Sequence, residues 1–192
     1  MVLPLRHIIE QMDDIHTMPD KLHRQLFEKI ERIELPKDHV LLKPGLICNY
    51  YYYIEEGMLY CHKKLDNKDI GSWLMFPGNI ATSVDSFNMQ VPSTETIRTV
   101  HPCVLHRLSW RNSEDFAQEH QAFSFIRHRL TNQYYYLMTE MNLQKNRPPE
   151  KFYEYLKQLY GDNFREIPHK ILAAHMGISE ALLYEIKKNN KR

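Results

Sequence analysis

The sequence has few of the residues that build metal centres and covalent catalytic sites. Its 192 residues include three cysteines, Cys48, Cys61 and Cys103, each isolated in an apolar or aromatic run. There is no CxxC, HxxxH or HExxH motif to indicate zinc or an iron–sulfur cluster, so we predict reduced, buried thiols. We find no phosphate-binding glycine loop in the sequence and no Ser/His/Asp or Cys/His arrangement typical of a catalytic site. We therefore expect no cofactor and no enzymatic activity.

Long apolar runs and a strong net charge are also missing. No stretch approaches the ~18 apolar residues of a membrane span, and the first residues, MVLPLRHIIEQMDD, lack the apolar core of a signal peptide. We therefore expect a cytoplasmic protein without a membrane partner. The formal net charge is +1, but Lys145–Arg192 carries 10 Lys and Arg against 6 Asp and Glu. Such a basic segment is a weak indication of a nucleic-acid partner.

The hydrophobic periodicity changes along the chain. Residues 4–33 are predicted to be helical, because apolar residues recur at three-to-four spacing after Pro19: Leu22, Leu26, Phe27, Ile30 and Ile33. From His39 to Leu108, short β-branched and aromatic runs alternate with turn signals, which predicts a small antiparallel barrel or roll. Side chains alternate along a strand, so we expect the run Tyr50–Tyr53 to be half core and half surface rather than a ligand-stacking platform.

A long helix without Gly or Pro is predicted from Gln121 to Lys145, after a shorter helix capped by Ser109. Six apolar residues lie three or four apart on it, as in a coiled-coil seam: Phe123, Ile126, Leu130, Tyr134, Leu137 and Met141. A helix of this length spans ~37 Å at 1.5 Å per residue, which is more than a small barrel covers. We therefore favour a homodimer interface, with packing of the stripe on its own domain as the alternative.

After the break at Asn146–Pro149, the segment IPHKILAAHMGISEALLYEIKK carries a helix-turn-helix pattern. Two steeply crossing helices need a small residue at their closest approach, here Ala173, and a turn residue tolerant of positive φ, here Gly177. Ser179 can cap the second helix. Its buried face would comprise Ile178, Leu182, Leu183 and Ile186. We predict that the opposite face can enter a major groove; an αα-hairpin used for ordinary packing is the alternative.

Two further segments contribute to a family resemblance: KPGLICNYYYYIEEGMLYCHKK, with a Tyr-x-Ile ahead of a hairpin glycine, and FPGNIATSVDSFNMQVPSTETIRTV. Together with the long helix and the helix-turn-helix, they make the chain resemble the Crp–Fnr family of bacterial transcription regulators. The resemblance implies an α+β fold with three parts. An antiparallel β-roll (double-stranded β-helix) of the cyclic-nucleotide-binding type with N-terminal helices would occupy 1–120, a dimerisation helix 121–146, and an all-α helix-turn-helix domain 147–192.

The resemblance also implies a ligand-binding cassette in the roll, from which this sequence departs. Its residues would be Gly78, Asn79, Ser93, Thr94 and Arg98. In cyclic-AMP-binding members a Glu takes the ribose hydroxyl and an Arg pairs with the cyclic phosphate, whereas here Asn79 and Ser93 stand at those positions. Loss of the guanidinium removes a charge-assisted bond worth ~1.5–3 kcal/mol. We therefore expect no cyclic-AMP binding; an empty roll, a filled roll or a different small effector stays open.

The DNA contacts implied by the resemblance lie on the second helix and at the start of the first: Ser179, Glu180, Ala181, Tyr184, Glu185, Lys187, Lys188, His169 and Lys170. Family members usually carry an Arg at the position of Glu185. A carboxylate can accept a hydrogen bond from cytosine N4, but the groove phosphates repel it. The basic cluster of Lys187, Lys188, Lys191 and Arg192 could contact phosphates, which carry little sequence information.

From these patterns we predict a homodimeric transcription regulator that binds double-stranded DNA through two motifs about one helical turn apart, ~34 Å. The alternative is an interaction or ligand-binding protein that keeps the regulator fold and has lost sequence-specific DNA binding. The two carboxylates on the second helix favour that alternative.

Overall fold

The computed structural model describes residues 4–66 and 68–189. The helices are α1 (Pro4–Ile15), α2 (Asp20–Lys29), α3 (Val84–Met89), α4 (Trp110–Glu119), α5 (Gln121–Lys145), α6 (Pro149–Tyr160), a 3-10 helix (Gly161–Glu166), α7 (His169–Met176) and α8 (Glu180–Asn189). The strands are β1 (Glu31–Leu35), β2 (Val40–Leu42), β3 (Tyr50–Glu56), β4 (Leu59–Leu65), β5 (Lys68–Met75), β6 (Ile80–Ala81), β7 (Thr96–Thr99) and β8 (Cys103–Ser109).

The strands form two four-stranded sheets with the orders β1-β8-β3-β6 and β2-β7-β4-β5. The pairings of β1 with β8, of β3 with β6 and β8, and of β2 with β7 are all antiparallel. Sequence neighbours are mostly not sheet neighbours, so the chain crosses between the sheets as it proceeds. The prediction of an antiparallel, strand-rich module between His39 and Leu108 is confirmed.

The N-terminal region differs from the prediction of helix over residues 4–33. It contains two helices, and Ile33 lies in β1, paired with Leu105 of β8. Pro19 has extended backbone angles (φ −68°, ψ 149°) and marks the start of α2, while Ile30 leaves the helix with φ −81° and ψ 123°. The spacing of the apolar residues did not indicate this change. Ile33 is held in a strand by its pairing with Leu105, which is far away in the sequence.

A hydrophobic core lies where the N-terminal helices, β3, β8 and the start of α5 meet. Its buried members are Ile8, Ile9, Met12, Met18, Leu22, Leu26, Tyr53, Leu108, Phe116, Phe123 and Ile126. The predicted cap of α4 is also present, because the Ser109 hydroxyl accepts a hydrogen bond from the Asn112 amide at 3.2 Å. All three cysteines are free and buried, as predicted.

The tyrosines of β3 do not alternate between core and surface. Tyr52 and Tyr53, which are adjacent, are both buried, and the Tyr51 ring packs against the Phe87 ring at a tilt of 40°, with the ring centroids 4.0 Å apart. Burial raises the pKa of Tyr51 to about 12. The Tyr53 hydroxyl is hydrogen-bonded to Nδ1 of His7 in α1 at 2.9 Å. Both faces of this strand are therefore covered, and the prediction of a half-exposed run is wrong.

The long helix α5 has the predicted bounds, Gln121–Lys145. The chain divides into two compact units inside this helix, rather than at the predicted boundaries near 120 and 146. The first unit consists of the chain up to Tyr60 together with Leu74–Gln133. The second consists of Cys61–Trp73, in the β4–β5 hairpin, together with the chain from Tyr134 onward.

Candidate nucleic-acid interface

Helices α7 and α8, which we call the helix pair, are joined by a tight turn. α7 ends at Met176, and Gly177 follows in the left-handed conformation with φ 71° and ψ 26°. The Ile178 amide then donates to the Ala173 carbonyl at 3.1 Å, which satisfies a carbonyl at the end of the helix. Ser179 accepts a hydrogen bond from the Leu182 amide at 3.2 Å and caps α8. The turn residues therefore take the conformations that the sequence predicts.

The packing of the helix pair follows the prediction in all but two positions. Ala173, Leu183 and Ile186 are buried, so a small residue stands inside the pair and aliphatic residues hold α8. Leu182, predicted to be buried, is 40% exposed, and Ile178 is half-buried. Leu182 lies about 100° around the helix from the fully buried Leu183, which places it at the edge of the buried face.

The predicted contact residues of α8 form an exposed surface, which we call the outward face: Ser179, Glu180, Ala181, Tyr184, Glu185 and Lys188. Tyr184 is 61% exposed, and Lys187 beside this face is half-buried. The carboxylates of Glu180 and Glu185 therefore lie on the same surface as Lys188. Lys191 and Arg192 lie outside the described residues.

The two predicted contact residues of α7 have different environments. Lys170 is exposed, whereas Nε2 of His169 donates to the Glu180 carbonyl at 2.9 Å. That bond connects the start of α7 to the first turn of α8. His169 thus orients α8 through its backbone, a role that the sequence analysis did not identify.

The interior of the second unit contains a buried histidine that the sequence analysis missed. His175 of α7 is fully buried, and its Nε2 lies 3.0 Å from the Tyr160 hydroxyl. Burial, together with the nearby charge of Lys145, lowers the pKa of His175 to about 3, so the imidazole is neutral at pH 7. The sequence signal for the burial of His175 was its position on the same side of α7 as Leu172 and Met176.

The cassette predicted in the roll begins with a loop held by backbone bonds. Gly78 has φ +89°, and its amide donates to the Ile54 carbonyl at 2.9 Å. The Asn79 side chain accepts a hydrogen bond from the Phe76 amide at 3.0 Å. Asn79 therefore stabilises its own turn.

A carboxylate lies inside the cassette, and the sequence analysis did not single it out. Glu95 is buried and accepts a hydrogen bond from the Ser83 hydroxyl at 2.8 Å. Ser93, also buried, lies 3.2 Å from Ser83 between their hydroxyl oxygens and accepts from the Glu95 amide at 2.9 Å. The predicted phosphate-binding region is thus occupied by serine hydroxyls around an acidic side chain.

The other two predicted cassette residues do not join this cluster. Thr94 is exposed. Arg98 donates to the Asp38 carboxylate at 2.7 Å and lies over the Tyr60 ring, 5.5 Å from its centroid. On β7 it alternates with the fully buried Ile97 and Thr99 and therefore points to the other face of the strand. Among the residues that the structure describes, no arginine side chain is hydrogen-bonded to Ser93.

The predicted dimer stripe on α5 is partly covered by the chain itself. Phe123, Ile126 and Met141 are already buried in the single chain. The prediction that these three residues form a homodimer interface is therefore wrong. Leu130 and Tyr134 are half-buried, and Leu137 is 43% exposed. A hydrophobic stripe marks the buried side of a helix and does not distinguish a neighbouring element from a second copy. Here the chain's own core supplies the cover for Phe123 and Ile126.

A different side of α5 presents large apolar groups to solvent. Phe125, Tyr136 and Leu143 are 44%, 67% and 58% exposed. They are 11 and 7 residues apart, so at about 100° per residue they fall within about 20° of one line along the helix. We call this line the exposed α5 face; it lies opposite the predicted stripe.

Within the described part of the chain, no helix has both the length and the apolar character to cross a membrane. Residues 4–66 and 68–189 also contain no group of three or more His, Cys, Asp or Glu side chains that could hold a metal ion.

No protein-family model and no curated protein sequence matches the chain. Its fold nevertheless resembles solved structures of transcription regulators. The c-di-GMP responsive global regulator CLP of Xanthomonas campestris superposes with a TM-score of 0.69 at 12% identity, covering 90% of this chain and 92% of that one. A protein from Eubacterium rectale assigned to the crp/fnr family gives 0.72 at 10%, covering 91% and 84%. The catabolite activator protein of Thermus thermophilus gives 0.55 at 16%, covering 97% and 86%. The chain thus has the fold of Crp/Fnr regulators.

Proposed function

We propose that this protein is a homodimeric, DNA-binding transcription regulator of the Crp–Fnr type whose roll does not bind cyclic AMP. The observation that carries the proposal is the helix pair, in which Gly177, Ser179 and Ala173 fix α8 while its outward face stays exposed. A helix held in this way can enter a major groove, which is wide enough to admit one. The regulator fold of the structural neighbours supports the same conclusion.

DNA binding can be tested by titrating the protein against duplex DNA across a salt series. Lys170, Lys187 and Lys188 are the lysines of the helix pair. If each neutralises one phosphate in both copies, the plot of log K against log salt has a slope of about −5. The absence of binding at ~50 mM salt, or binding without a salt dependence, contradicts the proposal, because phosphate neutralisation must release counterions.

The exposed α5 face supports the dimer. Burying a large apolar side chain contributes about 1.5–3 kcal/mol, so a symmetric contact through Phe125, Tyr136 and Leu143 would bury six such groups. We expect Tyr136→Glu to shift the protein toward monomer in sedimentation analysis, because the interface would then bury two unpaired carboxylates. Tyr184→Glu, which places the same charge at a 61% exposed tyrosine outside this face, is the control. A wild-type monomer at micromolar concentration would exclude this interface.

The cassette chemistry supports the absence of cyclic-AMP binding. A cyclic phosphate placed beside the Glu95 carboxylate would experience like-charge repulsion on the order of 4 kcal/mol at 4 Å and an effective dielectric constant of 20. Arg98, the arginine of the predicted cassette, is paired with Asp38 and does not offer a compensating charge next to Ser93. We expect 1 mM cyclic AMP to leave the melting temperature unchanged, since a ligand that binds the native state must raise it. A reproducible increase would contradict this part of the proposal.

A second candidate is an interaction protein that keeps the fold and no longer binds DNA. It is favoured by Glu180 and Glu185, two exposed carboxylates on the outward face. If these charges alone prevent docking, the double variant Glu180→Gln/Glu185→Gln binds duplex DNA much more tightly than the wild type. Glu150→Gln, an exposed neutralisation at the start of α6, is the control. Tight binding of the wild type to a selected operator would exclude this candidate.

A further inference from the structure

A cavity of about 340 Å³ lies in the first unit, between the end of α3, α4 and the first half of α5. Its volume is at the lower end of the range for small-molecule sites, about 300–1,000 Å³. Each residue that lines it has a polar or charged group in its side chain, including Asn88 of α3 and Ser124 and Thr131 of α5. The cavity therefore suits a small, polar ligand.

Two opposite charges are in contact at this cavity. The Arg127 guanidinium of α5 donates a hydrogen bond to the Glu114 carboxylate of α4. The two side chains are 27% and 31% exposed, so the pair is neither sealed in the interior nor fully solvated. A guanidinium has five N–H donors and a carboxylate has about four acceptor positions, so the bond between them leaves capacity on both groups. A ligand can therefore pair with both charges at once.

Trp110, which also lines the cavity, has a donor without an acceptor. Its indole nitrogen is buried and has no hydrogen-bond partner within the described part of the chain. Buried N–H groups are nearly always paired, and an acceptor bound in the cavity could pair with this one. Trp110 precedes Glu114 by four residues on α4, so the two lie on one face of that helix. The indole thus adds a flat apolar surface beside the charged pair.

The cavity is separate from the sites described above. The serine hydroxyls and the Glu95 carboxylate of the cassette do not line it. Arg127 follows Phe125 by two residues, which places it about 160° around α5 from the exposed α5 face. A ligand in the cavity therefore needs neither the cassette nor a second copy of the chain.

We propose that this cavity binds a free α-amino acid, with the ligand carboxylate on Arg127 and the ligand ammonium group on Glu114. A simple anion would be repelled by Glu114, and a simple cation would be repelled by Arg127. An α-amino acid carries both charges on one carbon atom and therefore complements a guanidinium and a carboxylate that are in contact. Its side chain would lie against Trp110 and the hydroxyl groups of α5. This proposal does not depend on DNA binding.

The first experiment measures the thermal unfolding midpoint of the full-length protein with each common α-amino acid at ~10 mM, or at its solubility limit. We expect at least one of them to raise the midpoint. A ligand at 100 times its Kd should raise it by roughly 5–11 °C for a chain of this size. Calorimetry then gives the Kd of that amino acid and of two derivatives. The N-acetyl derivative lacks the ammonium group and the amide lacks the carboxylate. Each should bind at least tenfold more weakly, because it loses a charge-assisted hydrogen bond.

The second experiment assigns the two charges to their residues. Arg127→Gln and Glu114→Gln should each raise the Kd of the amino acid at least tenfold. Glu114→Gln should bind the N-acetyl derivative at least as well as the wild type does, because the repulsion is gone, whereas a merely structural role of Glu114 predicts weaker binding. Asp115→Asn and Arg129→Gln, at exposed neighbours on the same two helices, are the controls and should keep the wild-type Kd.

Three results would overturn the proposal. The first is an unchanged midpoint with every amino acid. The second is equal affinity for the N-acetyl derivative and its parent, which would indicate an anion site. The third is a wild-type Kd in both Arg127→Gln and Glu114→Gln, which would place the ligand elsewhere. If one of these variants does not fold, the other variant and the two derivatives decide. A protein that binds an amino acid in this way but does not bind DNA would refute the proposed function and support this proposal.

Discussion

Gly177 offers a direct test of the turn between α7 and α8. Its φ of +71° is unfavourable for an L-residue, but a Cβ added there would meet no atom within 4 Å. The effect of Gly177→Ala is therefore set by the backbone alone. The left-handed conformation costs about 1–2 kcal/mol for a non-glycine residue. Reduced entropy of the unfolded chain offsets about 0.4–1 kcal/mol. The difference between the two ranges is about 0–1.6 kcal/mol, so we expect a net destabilisation of about 0.8 kcal/mol.

The measurement is the thermal unfolding midpoint, with duplex-DNA affinity as a second readout. For a chain of this size, 1 kcal/mol shifts the midpoint by roughly 2–4 °C, so Gly177→Ala should lower it by roughly 2–3 °C. Gly177→Asn is the matched control, because Asn tolerates this conformation better, and it should fall between glycine and alanine. A rise in the midpoint with alanine would refute the argument, since it would mean that residue 177 does not adopt positive φ in solution.

Two further predictions concern the helix pair and its interior. Leu183→Ala should destabilise the protein by about 2–5 kcal/mol, because the side chain is fully buried. Leu182→Ala, at a 40% exposed neighbour, should change stability by about 0.5 kcal/mol or less in urea unfolding, and equal effects would contradict the burial of α8. His175 has its pKa lowered to about 3, so the unfolded chain takes up more protons than the native one as the pH falls below about 6.5. Its contribution to stability is complete above that pH and is lost toward pH 3. Between pH 7 and pH 5 the loss should be about 2 kcal/mol. His175→Phe should lack this part of the pH dependence, and an unchanged dependence in the variant would show that His175 is accessible to protons.

Features encoded within a few residues were predictable from the sequence. The bounds of α5, the Ser109 and Ser179 caps and the left-handed turn at Gly177 each depend on residues within about one helical turn. The order of these elements was sufficient to indicate the fold of the Crp/Fnr regulators, although no protein-family model and no curated protein sequence matches the chain. Composition was also informative, since three isolated cysteines in apolar runs indicated buried thiols.

Features that depend on distant residues could not be predicted in this way. The apolar stripe of α5 showed that one side is buried, but not that α1, α2 and α4 provide the cover. Glu95 gave no sign of burial, because its hydroxyl partner Ser83 is 12 residues away and becomes adjacent only when the cassette folds. Gly71 carries no turn signature, but a Cβ added to it would lie 2.7 Å from the Cα of His175, more than 100 residues later in the chain. Local backbone preferences depend on neighbouring residues and can therefore be predicted from the sequence. Burial, strand pairing and close backbone contacts depend on which distant segments meet in the folded chain.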